Sequence, residues 1–150
     1  MTNRAERAKE FFTSGYNCAQ SVALAFTDVT GLTEELTARL TAGYGGGMGR
    51  LREVCGAVSG AVFVLNALEG GYAPADQAMK AALYAKIQKL ARTFAEENGS
   101  YICRELLGVQ DNRDPVPEKR TETYYKKRPC VELVGCAAQI LSDMLENAEK

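Results

Sequence analysis

Residues 45–60 of this chain read GGGMGRLREVCGAVSG, a glycine-rich loop that leads directly into an apolar segment. Glycine adopts positive φ without steric cost and lets other groups approach the backbone closely. The segment at 54–68 is apolar on almost every side, which is typical of a buried central helix. Cys55 lies where that helix is predicted to begin, so its sulfur would be near backbone N–H groups that lack an intrahelical partner. We predict a site for a thiolate at this position.

Three more cysteines lie where a helix is predicted to begin. Each follows a residue that favours a helix start: Cys18 after Asn17, Cys103 after Ser100 and Cys130 after Pro129. A helix N-terminus stabilises negative charge by about 0.3 to 1 kcal/mol and lowers the pKa of a cysteine. If the fold brings the four helix ends together, the sulfurs form one anionic site. The alternative for each cysteine is a small buried hydrophobe.

The order of these motifs resembles a known family. The motifs are, in chain order, Tyr16-Asn17-Cys18-Ala19-Gln20-Ser21-Val22, the loop at 45–49, Cys55-Gly56-Ala57-x-x-Gly60, Cys103 before Leu106-Leu107-Gly108, and Cys130-x-x-x-Val134 before Ala137-Ala138. Over roughly residues 15–141 they resemble the C_GCAxxG_C_C family of redox-active proteins. The resemblance implies a small domain whose four characteristic cysteines carry an iron-sulfur cluster or another redox centre. The chain is also similar to the non-haem domain of split-Soret cytochromes, which is associated with an iron-sulfur centre.

Composition limits the class of protein. The chain has 150 residues, of which 46% are hydrophobic and 25% charged, and its net charge is −1. This is ordinary for one globular domain, which at this length needs neither disulfides nor metal to form a core. The charge gives no reason to expect nucleic acid or a membrane surface as a partner. The opening residues show no targeting signal, so we expect a cytoplasmic protein.

The types and spacing of the residues exclude several kinds of site. Histidine is absent, which excludes Cys-His dyads, Rieske-type ligation and His-ligated haem. No Cys-x-x-Cys occurs, so thioredoxin-like motifs, zinc ribbons and ferredoxin cysteine runs have no support. Cytoplasmic thiols are normally reduced, and metal binding or redox chemistry is therefore expected of the cysteines in preference to structural disulfides.

Hydrophobic periodicity predicts an all-α fold, a single-domain bundle of about five to seven helices without strands. The predicted helices cover about 5–14, 17–27, 34–42, 54–68, 75–98, 101–107 and 129–147, with Thr33 as the N-cap of the third. In the third helix Leu36 and Leu40 share one face, and the fifth has a predicted buried stripe of Ala75, Met79, Ala82, Leu83, Ile87, Leu90 and Phe94. Within the domain, 1–150, residues 109–129 form a charged, proline-containing connection. The aromatic and basic cluster at 124–128 is more typical of a solvated helix end than of a partner surface.

The glycines predict close packing around the cysteine site. No strand precedes the loop and neither a P-loop nor a dinucleotide motif is present, so we expect the loop to pack over the sulfurs rather than to bind a nucleotide. Gly56 and Gly60 share a helix face at a cost of about 1 kcal/mol each relative to alanine. Either another backbone or a bulky inorganic group would explain them. The predicted cofactor-binding residues are Gly45, Gly46, Gly47, Arg50, Gly56 and Gly60, and Arg52 adds a second positive charge.

The leading hypothesis is one metal centre for electron transfer, an iron-sulfur cluster of unspecified type, ligated by Cys18, Cys55, Cys103 and Cys130. Helix N-termini would stabilise the net negative charge of a cluster held by four thiolates. Zinc is an alternative metal, since ligand identity alone does not distinguish the two. A thiol-disulfide oxidoreductase that uses the same cysteines and a non-catalytic helical interaction module also remain open, and with them the question of catalysis.

The fifth cysteine, Cys136, lies six residues after Cys130 in the same predicted helix. Six residues turn a helix by about 600°, so the side chains of Cys130 and Cys136 point about 120° apart. They are also separated by about 9 Å along the helix axis. Cys136 shares a face with Leu133 and Ile140. We predict a small buried hydrophobe and not a ligand.

The expected partners are a redox protein and a second copy of the chain. The apolar helix at 54–68 and the Phe11-Phe12 pair offer more hydrophobic surface than the predicted helices obviously cover. Cyclic dimers are the commonest assemblies, and a homodimer is therefore expected.

Overall fold

A computed structural model of the chain describes residues 3–108, 114–127 and 129–148. The helices are α1 (Arg4–Thr13), α2 (Cys18–Leu24), α3 (Thr27–Thr30), α4 (Glu34–Thr41), α5 (Gly45–Met48), α6 (Gly56–Glu69), α7 (Gln77–Asn98), α8 (Cys103–Leu107), α9 (Glu122–Lys127) and α10 (Cys130–Ala148). A 3-10 turn, Ala42–Tyr44, joins α4 to α5. The all-α, single-domain prediction is confirmed. The helices that exceed the expected number are α3, α5 and α9, which are too short to show a hydrophobic period.

The core lies where α6 and α10 pack against α1, α2 and α7. Its largest fully buried side chains include Phe12, Phe26, Phe94, Leu65 and Leu141. The predicted central position of the apolar helix is confirmed, because seven residues of α6 are buried. The last helix buries Val134, Ala137, Ala138 and Leu141, with Met144 and Leu145 packed against the core.

Several helices begin and end at the predicted cap residues. Asn17 and Gln20 form a capping box at α2, in which each side chain accepts a hydrogen bond from the other residue's backbone N–H, at 2.9 and 3.0 Å. The hydroxyl of Thr33 accepts from the N–H of Leu36 at 3.1 Å and caps α4. At the other end of a helix, Gly108 terminates α8 in the left-handed conformation. Of these, the capping box lies at the start of a cysteine-bearing helix, α2, whose first residue is Cys18.

The buried face of α4 differs from a simple hydrophobic pattern. Leu36 and Leu40 are 39% and 50% exposed, whereas Thr37 and Thr41 are buried against the bundle. Thr41 can be buried at low cost because its hydroxyl donates to the carbonyl of Thr37 at 2.7 Å. The buried face of α4 is thus formed by two threonines, and its two leucines face outward.

The stripe predicted for α7 is only partly buried. Leu83, Leu90 and Phe94 are buried and Ile87 is partly buried, but Met79 and Ala82 are exposed. Ala75 precedes the helix, which begins at Gln77 with Asp76 as its N-cap. The first turns of α7 therefore carry apolar side chains that the bundle does not cover.

The connection is partly helical, since α9 lies within it. Residues 109–113 and 128 of the predicted connection lie outside the described part, and so do the side chains of 125–127. In the aromatic and basic cluster, the side chain of Tyr124 packs against the core.

Neither a β-strand nor a membrane-spanning helix is present in the described ranges. The described ranges contain no strand, and Val54 and Ile102 form an isolated antiparallel bridge. None of the helices in these ranges combines the length and the apolar composition that a membrane crossing requires.

Candidate functional site

Four helix starts bring four cysteines to one cavity. Cys18, Cys103 and Cys130 are the first residues of α2, α8 and α10, and Cys55 is the N-cap of α6. All four line a single cavity of about 460 Å³. The side chains of Cys18 and Cys130 are hydrogen-bonded to each other. All five cysteines of the chain are present as thiols.

A short antiparallel pairing holds Cys55 beside Cys103. The N–H of Cys55 donates to the carbonyl of Tyr101 at 2.8 Å, and the N–H of Cys103 donates to the carbonyl of Glu53 at 2.6 Å. Arg104 and Glu53 add an ion pair of 3.2 Å across the same two segments. The register of this pairing therefore sets the two cysteines side by side.

Close packing of α2 on α6 brings Cys18 to the cavity and explains two glycines. A Cβ atom on Gly56 would lie 3.2 Å from the Cβ atom of Cys18 and 3.1 Å from the carbonyl oxygen of Tyr44. A Cβ atom on Gly60 would lie 2.4 Å from the carbonyl oxygen of Ala19. Gly56 both packs on α2 and lines the cavity, whereas Gly60 lies one turn further along α6 and packs on backbone. For Gly60 the structure thus favours packing over a cofactor contact.

The glycine loop forms another wall of the cavity, as expected. Gly45, Gly46 and Gly47 all line it. Gly46 and Gly47 have φ of 66° and 70°, but positive φ is not confined to glycine: Met48, Arg50 and Arg52 have φ of 69°, 64° and 61°. Left-handed backbone costs non-glycine residues about 1 to 2 kcal/mol each. The loop is therefore strained where it faces the cysteines.

Two arginines from the strained loop line the same cavity. The side chain of Arg52 is buried, and its Nη1 donates to Sγ of Cys103 at 3.7 Å. Arg50 Nη1 and Arg52 Nε are buried and have no hydrogen-bond partner among the described residues. Burying a charged group is costly unless it is paired. The cavity is thus suited to a negatively charged occupant.

The connection covers the cavity, which its composition did not indicate. Its contributions to the lining are Pro115, Pro117, Glu118, Arg120 and Tyr124. Arg120 donates from Nη1 to the carbonyl of Phe12 and from Nη2 to that of Tyr16, both at 2.9 Å, and its guanidinium lies 4.2 Å from the ring centre of Phe12. These partners are about a hundred residues away in the sequence, so no local pattern could have revealed them.

The pKa values of Cys18 and Cys55 are raised, although both cysteines lie at helix N-termini. The hydrogen bond with Cys130, together with burial, raises the pKa of Cys18 well above its usual value. Burial raises the pKa of Cys55 to about 12, although hydrogen bonds from the backbone of Ala57 and Val58 act in the opposite direction. The expectation of lowered pKa values is wrong for these two cysteines. A bound cation would be needed to make them thiolates at neutral pH.

Cys136 lies away from this group, against α7. Its Sγ is 2.9 Å from Oε2 of Glu97 and accepts a hydrogen bond of 3.3 Å from Nδ2 of Asn98. Burial and the neighbouring Glu97 raise its pKa to about 11. Cys136 is half-buried and hydrogen-bonded, whereas Leu133 and Ile140 are buried. It is therefore less hydrophobic in its contacts than predicted.

Comparison with known proteins identifies a family. A family model described as "Putative redox-active protein (C_GCAxxG_C_C)" matches residues 16–144, which include all four cavity cysteines. No curated protein and no solved structure matches the chain. Among the described residues, no three or more Cys, Asp or Glu side chains form a group that could hold a metal ion.

Proposed function

The chain belongs to the C_GCAxxG_C_C family, and from that premise we propose that it is a redox protein whose Cys18, Cys55, Cys103 and Cys130 hold one iron-sulfur cluster. The observation that carries the proposal is that these four side chains, far apart in the sequence, line one cavity. When bound, an iron-sulfur cluster supplies electron transfer at a potential that the surrounding protein sets. The proposed role is therefore electron transfer, in agreement with the family's description as redox-active.

The cavity and its donor groups are suited to a cluster. Its volume of about 460 Å³ is far larger than a single ion requires, because even a water molecule occupies only about 30 Å³. Four thiols are the usual ligand set of both common cluster types. The buried donors of Arg50 and Arg52 suit an occupant with net negative charge, which a four-thiolate cluster has. A purely structural role for the thiols would leave these buried guanidinium groups unexplained.

Each part of the chain has a task in this proposal. The four cysteines would hold the cluster, and each would release its thiol proton on becoming a ligand. The first turn of α6 directs the backbone N–H groups of Ala57 and Val58 toward the sulfur of Cys55. Pro115, Pro117 and Tyr124 limit the access of water from the side of the connection. Burial of Cys55, Cys103 and Cys130 keeps three ligands away from oxidants in solution.

Anaerobic purification followed by metal and sulfide analysis tests the proposal. We expect a coloured protein that absorbs visible light and contains iron and acid-labile sulfide in stoichiometric amounts. Folded protein that takes up neither, even after anaerobic incubation with ferrous iron and sulfide, would overturn the cluster. Stoichiometric zinc without sulfide would instead indicate a mononuclear site, to which a closer approach of the four sulfurs would be required.

A second candidate function is thiol-disulfide exchange, which the hydrogen bond between Cys18 and Cys130 favours. The two thiols would pass two electrons and two protons to a partner disulfide, which is reduced to two thiols while one S–S bond forms here. The raised pKa of Cys18 opposes this function, because the thiolate is the attacking species. Peptide mapping after exposure of metal-free protein to glutathione disulfide distinguishes the two candidates. A Cys18–Cys130 disulfide with a midpoint near the cellular poise would support exchange.

A further inference from the structure

Arg52 differs from the other arginines near the site in how it is held. The residue is only 6% exposed, and its Nη1 is directed at Sγ of Cys103. Arg104 follows Cys103 in the chain, but its side chain is 43% exposed, pairs with Glu53 and donates from Nη1 to the carbonyl of Arg52 at 3.3 Å. A buried charge interacts with its neighbours more strongly than an exposed one, which water and salt screen.

The backbone keeps the guanidinium of Arg52 in this place. Arg52 N–H donates to the carbonyl of Gly46 at 3.2 Å, and the carbonyl of Arg52 accepts from the N–H of Arg104 at 3.3 Å. A Cβ atom on Gly46 would lie 2.7 Å from Cγ of Arg50 and 3.8 Å from Nη1 of Arg52. Both arginine side chains thus share the space that Gly46 leaves open.

The guanidinium geometry leaves donors for a second acceptor. Nη1 is directed at Cys103, and Nε is buried without an acceptor in the part of the chain that the structure describes. The rigid fork of a guanidinium can bond two neighbouring acceptors at once, which an ammonium on a flexible stem cannot do in the same way. An occupant with sulfur atoms next to Cys103 would provide that second acceptor.

We propose that Arg52 is a positioning residue of the redox site, which hydrogen-bonds the sulfur of Cys103 and thereby raises the reduction potential of the bound centre. This inference rests on the proposed function. Reduction adds negative charge to the centre, and a buried cation with hydrogen bonds to sulfur stabilises the reduced form more than the oxidised form. Loss of the guanidinium therefore makes the centre harder to reduce.

The test is a potentiometric titration of the visible absorbance of four anaerobically purified proteins. They are the unaltered chain, R52Q, R52K and, as a matched control, R104Q, which removes the same charge one residue beyond Cys103. For R52Q we expect the ratio of reduced to oxidised centre at a fixed potential to fall about tenfold, a shift of 59 mV to more negative values for a one-electron couple. R52K keeps the positive charge but loses the forked geometry of the guanidinium. Its reduction potential is expected to lie between those of R52Q and the unaltered chain. R104Q is expected to change the potential least.

The outcomes separate this inference from the proposed function. An unaltered chain without iron and sulfide would overturn both. A loaded unaltered chain whose potential matches that of R52Q and R52K would overturn only the role of Arg52. Equal shifts in R52Q and R104Q would show a general charge effect and would also overturn it. If circular dichroism shows that R52Q does not fold, the test uses R52K alone. A reduction potential of R52K equal to that of the unaltered chain would then contradict a role for the hydrogen bond.

Discussion

Gly47 lies so close to Cys103 that a Cβ atom on Gly47 would be 2.7 Å from the Cβ atom of Cys103. The same atom would lie 2.7 Å from the backbone nitrogen of Glu53 and 2.8 Å from Cα of Arg52. With φ of 70°, residue 47 is also in the left-handed region that favours glycine. The loop and the start of α8 therefore fit together only when residue 47 has no side chain.

Gly47→Ala is expected to destabilise the fold by about 2 to 4 kcal/mol, because backbone atoms must move and the left-handed conformation is strained. Urea unfolding of the metal-free protein measures this. Gly31→Ala is the matched control, since Gly31 has φ of 75° and nothing within 4 Å of an added Cβ atom. It should cost about 1 kcal/mol. Equal losses in the two variants would contradict the packing argument.

Cys130→Ala is expected to abolish or severely reduce the visible absorbance and iron content, whereas Cys136→Ala keeps both. Cys130 lines the cavity, while Cys136 is hydrogen-bonded to Glu97 and Asn98 on α7. The two substitutions remove the same atoms from one helix, so each controls for the other. Equal loss of signal, with the fold intact by circular dichroism, would show that Cys18, Cys55, Cys103 and Cys130 are not the set of ligands.

Arg120→Ala is expected to expose the cavity cysteines by releasing the connection from α1. The substitution removes two hydrogen bonds from a charged donor to the carbonyls of Phe12 and Tyr16 and the contact with the Phe12 ring. Such bonds contribute about 1.5 to 3 kcal/mol each, so alkylation of the metal-free thiols should be at least about tenfold faster. Arg92→Ala on the exposed face of α7 is the control. Unchanged alkylation in Arg120→Ala would contradict the anchoring role.

The ion pair between Arg4 and Asp28 predicts a pH-dependent contribution to stability. The hydrogen bond from Arg4 lowers the pKa of Asp28. A lowered folded-state pKa means that the contribution is complete above the unfolded value, about 3.9, and disappears as the pH falls through the folded value. Asp28→Asn should therefore be less stable at pH 7, by no more than about 1 kcal/mol, because the side chain of Asp28 is 48% exposed to solvent. Urea midpoints of the two proteins should converge in strong acid. A constant difference down to that pH would contradict the assignment.

The homodimer stays a prediction, but the structure points to a different hydrophobic surface for the contact. Phe12 and half of the residues of α6 are buried within one chain, so these residues do not require a partner. The exposed apolar residues Leu68, Met79 and Tyr84, on α6 and α7, are the better candidates for a contact between two copies. We expect Met79→Glu to shift a dimer toward monomer in light scattering at micromolar concentration, with Leu40→Glu on α4 as the control. A monomeric unaltered chain would remove the prediction.

Local hydrogen bonds explain why the helix starts could be predicted. Asn17, Thr33 and Asp76 each cap a helix by accepting a bond from a backbone N–H three residues ahead. Such signals lie within one turn and do not depend on the remainder of the fold. Of the cavity cysteines, Cys18 follows such a capped start, whereas no side chain caps the starts of α6 and α8 at Cys55 and Cys103.

Other features of the site depend on contacts between distant segments. The expected acidity of Cys55 was wrong because burial by the assembled bundle outweighs the local N–H groups of α6. Leu36 was expected to share an apolar face, but Thr37 beside it is the buried residue. In both cases contacts from distant segments outweigh the effect that the local sequence predicts.

By itself, the sequence determined the all-α class, the helix starts and the four cysteines at those starts, because periodicity and capping act over a few residues. Tertiary structure alone decided that Gly60 packs on Ala19, that Arg52 is buried against Cys103 and that Arg120 fastens the connection to α1. Each of these contacts joins segments at least 40 residues apart. A charged side chain can be buried only where such distant segments supply its partners, and no local pattern encodes where they meet.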